Sequence, residues 1–66
     1  MRESDRTFFQ GRISGRTERG FMVEIGLGEV VEVINSRIRF QADLRTGDIV
    51  EIEQNLGKFY INELLG

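Results

Sequence analysis

The chain has 66 residues, enough for one small domain, and its nine basic and eleven acidic residues give a net charge of −2. It has no cysteine and no histidine, which excludes a disulfide framework, a thiolate metal site and the commonest catalytic base. A domain of this size has a net stability of only about 3–5 kcal/mol, which leaves little for strained active-site geometry. We therefore expect no enzymatic activity, no cofactor and no small-molecule substrate.

Apolar runs such as Val30-Val31 and Leu64-Leu65 are far shorter than the roughly 18–20 residues that cross a bilayer. The first residues are charged and resemble no targeting signal. We expect a cytoplasmic protein that does not enter the membrane. Residues 1–5 are polar and unpatterned, which predicts a flexible N-terminus ahead of a single domain over residues 6–66.

The first predicted strand spans residues 6–17, where Phe9, Gly11 and Ile13 lie on one face and more polar residues on the other. A glycine inside a strand indicates a bulge or a close backbone approach. Such a strand can bend and belong to both halves of a barrel. A polar turn between glycines then follows at residues 15–20.

The strongest local signal is a β-hairpin over residues 20–34, in which two alternating runs flank the turn Gly26-Leu27-Gly28. The β-branched residues of the two runs predict strands, and the glycines between them predict a turn, so both signals indicate a hairpin. The predicted core positions of the hairpin are Phe21, Val23, Ile25, Val31 and Val33.

After this hairpin, Asn35-Ser36 is typical of a turn or of a helix N-cap, and Arg37 to Arg45 predicts a short helix or a single helical turn. It is too short to be stable alone, so we expect it to close the open end of a barrel. Thr46-Gly47-Asp48 predicts a turn.

Two more strands follow, from Ile49 to Glu53 and from Phe59 to Leu64, joined by the turn Asn55-Leu56-Gly57-Lys58. The inward positions are expected to be Ile49 (or Val50) and Ile52 in the fourth strand, and Phe59 and Ile61 in the fifth. Three strands, a short helix or helical turn and a hairpin predict an all-β, five-stranded Greek-key barrel of the OB-fold type. An SH3-like barrel is the alternative, although it does not require the helical element.

The carboxylates offer little catalytic chemistry. Glu51 and Glu53 are two residues apart on a strand and share a face, which we interpret as a solvated outer face. Gly26-Leu27-Gly28 lacks the third glycine and the following helix of a dinucleotide-binding loop.

Arginine makes up eight of the nine basic residues and favours a binding function, because its planar group pairs with phosphate and stacks on rings. In an OB barrel, strands two and three and the adjoining loops form the usual nucleic-acid surface. Three alternatives to a binding role are open. Arg12 and Arg16 can pair with Glu24 or Glu32 across strands, and Arg39 can pair with Asp43 on a helix. Phe8 can lie in the core or at its rim. The candidate RNA-binding residues are Phe8, Arg12, Arg16, Arg37, Arg39, Arg45, Lys58 and Tyr60.

Four parts of the chain together resemble bacterial translation initiation factor one and the related S1-like OB domains: Phe9-Gln10-Gly11, the hairpin runs Phe21 to Ile25 and Gly28 to Val31, Ile34 to Arg39 (INSRIR) and Thr46 to Glu53 (TGDIVEIE). The resemblance implies non-catalytic binding to structured RNA of the small ribosomal subunit. It matches Arg37, Arg39 and Arg45 to basic residues of the family.

The chain departs from the family at four places. Ser36-Arg37 replaces the usual Gly-Lys pair, and the segment from the third strand through the helix is shorter. The loop over residues 54–58 is also shorter, and residues 61–66 replace a basic chain end.

Two functions therefore remain open. One is an RNA-binding module, in which Arg12, Arg37 and Arg39 should share one positive face, away from Glu51 and Glu53. The other is a protein-interaction module of OB or SH3-like fold without nucleic-acid binding, with a contact patch of Phe8, Met22 and Leu27.

Overall fold

The structure is a computed structural model that describes residues 6–40 and 43–66, so the predicted flexible segment at residues 1–5 lies outside the described part. The protein is all-β, as predicted. Its elements are β1 (Thr7–Arg16), β2 (Gly20–Gly26), β3 (Glu29–Ile34), a 3₁₀ turn (Asn35–Arg37), β4 (Ile49–Asn55) and β5 (Lys58–Leu64).

The five strands form one sheet in the order β3-β2-β1-β4-β5, and every neighbouring pair is antiparallel. The first four strands have the spatial order 4-1-2-3 of a Greek key. The sheet curls into a half-barrel, in which the edge strands β3 and β5 contact each other.

Among the described residues, there is no helix long and apolar enough to cross a membrane.

The chain after the 3₁₀ turn lies beside the outer edge of β5. Ile38 forms an isolated parallel bridge with Ile61, and the Arg39 N–H donates to the Ile61 carbonyl oxygen at 2.9 Å. These contacts satisfy backbone groups at an edge that would otherwise be open. They also place Arg37 and Arg39 against the β4–β5 hairpin.

The predicted helix over residues 37–45 is wrong in its position. The helical turn comes earlier, at Asn35–Arg37, and Ile38 is already extended with φ −98° and ψ 118°. The bridge to Ile61 requires extended backbone, which overrides the weak local helix signal. Within the predicted helix, residues 41–42 lie outside the described part.

Strand β1 pairs with both β2 and β4, as expected for a strand shared by two halves of a barrel. The close approach predicted at Gly11 is confirmed, because a Cβ there would lie 2.8 Å from Val23 Cγ1 and 2.9 Å from Ile52 Cγ1. The β-bulge lies elsewhere: Ile13 pairs with Val23 and Gly15 with Met22, which leaves Ser14 as the extra residue.

The core receives side chains from all five strands and from the connection between β3 and β4. Val50 rather than Ile49 occupies the inward position beside Ile52 in β4. Predicted core residues such as Phe9, Ile25, Val31 and Phe59 are only partly buried and pack around the centre. The buried apolar residues are Ile13, Phe21, Val23, Val33, Leu44, Val50, Ile52 and Ile61.

Candidate nucleic-acid interface

Three side chains lie in one row across the outer face of the sheet. Phe8 of β1 is directly opposite Glu53 of β4, and Glu53 is directly opposite Tyr60 of β5. Directly opposed residues of antiparallel strands share a face. Phe8 is 51% exposed, which excludes a core position for it, and Tyr60 is partly buried.

Two predicted arginines converge on the ring of Tyr60. The guanidinium carbon of Arg39 lies 4.2 Å from the ring centroid, and that of Arg37 lies 6.0 Å from it. Both distances are within the range of cation–π attraction. The 3₁₀ turn and the extended segment after it supply both arginines, so the pairing of that segment with β5 builds this cluster.

The prediction of a solvated Glu53 is wrong, because this side chain is only 1% exposed. Its Oε1 accepts hydrogen bonds from Arg39 Nη1 at 2.6 Å and from Asn62 Nδ2 at 3.0 Å. Arg39 Nη1 also donates to Asn62 Oδ1 at 3.3 Å. The Glu53 Oε2 atom is buried as well, and among the described residues it has no hydrogen-bond donor. Glu51, by contrast, is only partly buried.

A second β-bulge brings Asn62 to this carboxylate. Glu51 pairs with Glu63 but Ile52 pairs with Ile61, so Asn62 is an extra residue in β5. Bulges redirect side chains in this way. Asn62 was not among the predicted site residues. Asparagine is depleted in strands, and its presence between Ile61 and Glu63 is the one local signal that could have indicated the bulge.

Glu53 is held in its anionic form. The hydrogen bond from Asn62 lowers the pKa of the Glu53 carboxyl, and the charges of Arg39 and Arg6 lower it further, against the opposing effect of burial. The pair therefore carries both charges at neutral pH, and Glu53 offsets much of the positive charge that Arg39 brings to the surface.

Arg12 and Arg16 do not join this cluster. Arg12 pairs with Glu24 at 3.5 Å, the cross-strand ion pair considered as an alternative. Arg16 is paired in register with Phe21, and its guanidinium carbon lies 5.2 Å from the centroid of that ring. The bulge at Ser14 turns Arg16 to the Phe21 side, whereas Arg12 shares a face with Glu24.

The remaining basic candidates are exposed. Lys58 lies two residues before Tyr60 in β5 and so shares its face. Arg45 lies in the loop before β4, where its backbone N–H donates to Asp48 Oδ2 at 2.8 Å. In the part of the chain that the structure describes, Arg16, Arg37, Arg45 and Lys58 form no salt bridge.

Five of the eight predicted site residues therefore lie on one surface, which we call the Tyr60 face: Phe8, Arg37, Arg39, Lys58 and Tyr60.

Two expectations about the distribution of charge are wrong. Arg12 does not converge with Arg37 and Arg39, and Glu53 lies within the cluster instead of on a separate face. The predicted Arg39–Asp43 pair is replaced by the pair of Arg39 with Glu53.

The apolar patch predicted for a protein partner is not contiguous. Met22 pairs with Gly15, which is seven residues from Phe8 along β1, or about 23 Å at the usual rise of a strand. Leu27 is fully exposed at the tip of the β2–β3 hairpin.

Comparisons of the chain with family models, with curated proteins and with solved structures find no match. Across residues 6–40 and 43–66, no three acidic side chains are grouped closely enough to hold a metal ion.

Proposed function

We propose that the chain is a non-catalytic RNA-binding module of OB-fold type, similar to bacterial translation initiation factor one, that binds structured RNA of the small ribosomal subunit in the cytoplasm. The Greek-key strand order, the central position of β1 and the helical turn between β3 and β4 support the OB fold over an SH3-like barrel.

The observation that carries the functional proposal is the convergence of Arg37 and Arg39 on Tyr60, with the exposed ring of Phe8 in the same cross-strand row. Proteins that bind unpaired nucleotides combine cations that follow the phosphates with flat side chains on which bases stack. The Tyr60 face contains both kinds of group.

Its position differs from the usual OB surface. The usual surface uses strands two and three, but here the outer side of β2 and β3 carries Glu24 and Glu32, each in an ion pair with an arginine. The Tyr60 face instead spans β1, β4 and β5. It also borders the β4–β5 loop, which is one of the loops that OB folds use for binding.

The charges predict a moderate dependence of affinity on salt. Arg12, Arg19 and Arg39 are already paired with carboxylates, which leaves Arg16, Arg37, Arg45 and Lys58 unpaired in the described part of the chain. If these four neutralise phosphates of an unpaired RNA segment, they contribute about −3 to the log–log slope of affinity against salt.

The test is a salt titration of binding to purified small ribosomal subunits and to an isolated RNA hairpin. We expect the affinity to fall with salt, and Arg37→Ala to weaken binding and reduce the slope by about 0.7. Arg12→Ala is the matched control, because Arg12 lies four residues from Phe8 along β1, about 13 Å at the usual rise of a strand, and is paired with Glu24. The absence of RNA binding even at low salt would refute the proposal.

A second candidate is a protein-interaction module, which the two hairpin tips favour. Leu27 is 105% exposed and Leu56 is 75% exposed. Both tips lie toward the beginning of β1, because β2 and β4 each run antiparallel to it. The variant Leu27→Ser separates the two functions, because Leu27 lies outside the β4–β5 loop that borders the Tyr60 face. It should keep RNA affinity if RNA is the ligand, and should lose partner capture in pull-downs if the leucines form the contact.

A further inference from the structure

We propose that the Tyr60 face takes an unpaired RNA segment, with one base stacked on the guanidinium of Arg39 and another on the ring of Phe8. This inference rests on the proposed RNA-binding function and specifies the ligand. The Tyr60 face contacts exposed bases and does not bind the phosphate backbone of a double helix.

The first argument is that Arg39 is anchored to Glu53 and Asn62 and is not free to turn away from them. Its Nη1 donates to both Glu53 and Asn62, and the Glu53 carboxylate is buried. If Arg39 turned toward a phosphate, the anionic Glu53 would lose this partner, and a buried charge that loses its partner is strongly unfavourable. We therefore infer that Arg39 stays in place when RNA binds.

A guanidinium held in this way provides a flat surface for stacking. Tyr60 lies 4.2 Å from the guanidinium carbon, while the Arg39 side chain as a whole is still 45% exposed. Arginine planes stack on nucleobases as aromatic rings do, and they are weakly hydrated. Glu53 thus acts as a positioning residue that holds the guanidinium at Tyr60.

The second platform is Phe8. It lies two strands away from Tyr60 in the same row, or roughly 10 Å at the usual strand spacing. Glu53, which lies between them, is almost completely buried, so it projects no carboxylate into the ligand's path. A single strand with unstacked bases can reach both platforms.

A duplex cannot use these platforms in the same way. Inside a base-paired helix the faces of each base are covered by neighbours at roughly 3.4 Å, so no side chain can stack on them without opening the helix. Arg37 and Lys58, which form no salt bridge with described residues, flank the platforms and are placed to contact the phosphates of the same strand.

The chain contains an intrinsic probe for this site. Tyr60 is the only tyrosine and there is no tryptophan, so the tyrosine fluorescence of the full chain reports on the Tyr60 face alone. The experiment titrates the protein with a single-stranded RNA octamer, with a blunt RNA duplex of the same length and with an RNA hairpin. Fluorescence and an independent binding assay are followed together.

We expect the single strand to quench Tyr60 fluorescence and to bind more tightly than the duplex. Phe8→Leu keeps an apolar side chain without the ring, and Arg39→Lys keeps the charge opposite Glu53 without the flat group. Each should weaken single-strand binding about 5- to 150-fold. Arg12→Lys makes the same exchange at the pair of Arg12 with Glu24, which lies about 13 Å from Phe8 along β1, and should leave the affinity unchanged.

The outcomes separate the inference from the function on which it rests. If the hairpin or duplex binds as tightly as the single strand without quenching Tyr60, or if Arg39→Lys and Phe8→Leu bind like the wild type, the stacking inference is wrong and RNA binding stands. If none of the three RNAs binds, the proposed function itself is wrong.

Discussion

Arg39 and Glu53 are joined by a hydrogen bond of 2.6 Å that ties the segment after the 3₁₀ turn to the outer face of β4. One partner is half-exposed and the other almost completely buried. The pair connects two parts of the chain that lie 14 residues apart. It therefore supports the tertiary arrangement around Tyr60 as well as the electrostatics of the surface.

The pair of Arg39 and Glu53 predicts that the free energy of unfolding decreases as the pH falls. The pKa of Glu53 is lowered in the folded state, mainly by Asn62 and by the nearby arginines, from its usual value of 4.5. The contribution to the free energy of unfolding is therefore present above pH 4.5 and is lost as the pH falls through the lower, folded-state pKa. We expect Glu53→Gln to be less stable at pH 7 and to show a flatter decline below that pH, measured by urea unfolding.

Glu32 provides an independent comparison. Its pKa is also lowered, first by the hydrogen bond of the Thr17 hydroxyl and then by Arg19. Glu32→Gln should remove a separate part of the acid dependence, and the double variant should be flatter than either single variant. A Glu53→Gln curve that falls as steeply as that of the wild type would contradict the role given to Arg39 and Asn62.

Gly20 is predicted to tolerate no side chain. A Cβ at this position would overlap the Val33 carbonyl oxygen and lie 2.7 Å from the Cα of Ile34, both of which are backbone atoms of the paired strand. Gly20→Ala should therefore lower the free energy of unfolding by about 2–3 kcal/mol, which is most of the stability of so small a domain. Chemical denaturation measures the effect.

Gly15→Ala is the control, because a Cβ at Gly15 would have no atom within 4 Å. We expect this variant to unfold within about 0.5 kcal/mol of the wild type. Equal losses at the two positions would show that the β2–β3 contact is not the cause.

Leu56 is a position where a substitution should stabilise the protein. It has a φ of 53° and is followed by Gly57 with a φ of 79°, in the two-residue turn between β4 and β5. Turns with two positive φ values favour Asn-Gly, and leucine in this conformation costs about 1–2 kcal/mol. Leu56→Asn should raise the midpoint of thermal unfolding by a few degrees, which corresponds to about 1 kcal/mol.

Leu27→Asn is the matched control at the other hairpin tip. Leu27 is also exposed, but its φ is not positive, so no strain is relieved. Its thermal midpoint should stay close to that of the wild type. A loss of stability in Leu56→Asn would mean that the leucine side chain makes a contact that outweighs its backbone strain.

Ile52 tests the centre of the core. It is fully buried, it packs near Gly11, and it pairs with both Phe9 and Ile61. Ile52→Val should cost about 1 kcal/mol, and Ile52→Ala about 3–4 kcal/mol, enough to unfold much of the protein at room temperature. Val30→Ala, at an exposed position of β3, should cost far less in the same denaturation experiment.

Local patterns were sufficient for the strands and for most of the core. The alternation of Phe21, Val23 and Val33 and the turn glycines placed β2 and β3 correctly, because side-chain period and backbone freedom are properties of a few neighbouring residues. The same reasoning identified the close approach at Gly11. The helical turn was expected in the right connection but at the wrong residues.

The faces of the polar residues were decided by tertiary structure. The bulge at Ser14 puts Arg16 with Phe21, and the bulge at Asn62 brings that amide to Glu53. A single extra residue in a strand changes which side chains share a face, and no alternating pattern in the sequence records it. The sequence by itself thus determined that the chain forms five strands around an apolar core. Only the pairing of distant segments decided that Arg39 would lie on Tyr60 above a buried carboxylate, because strand register and burial depend on contacts between residues far apart in the chain.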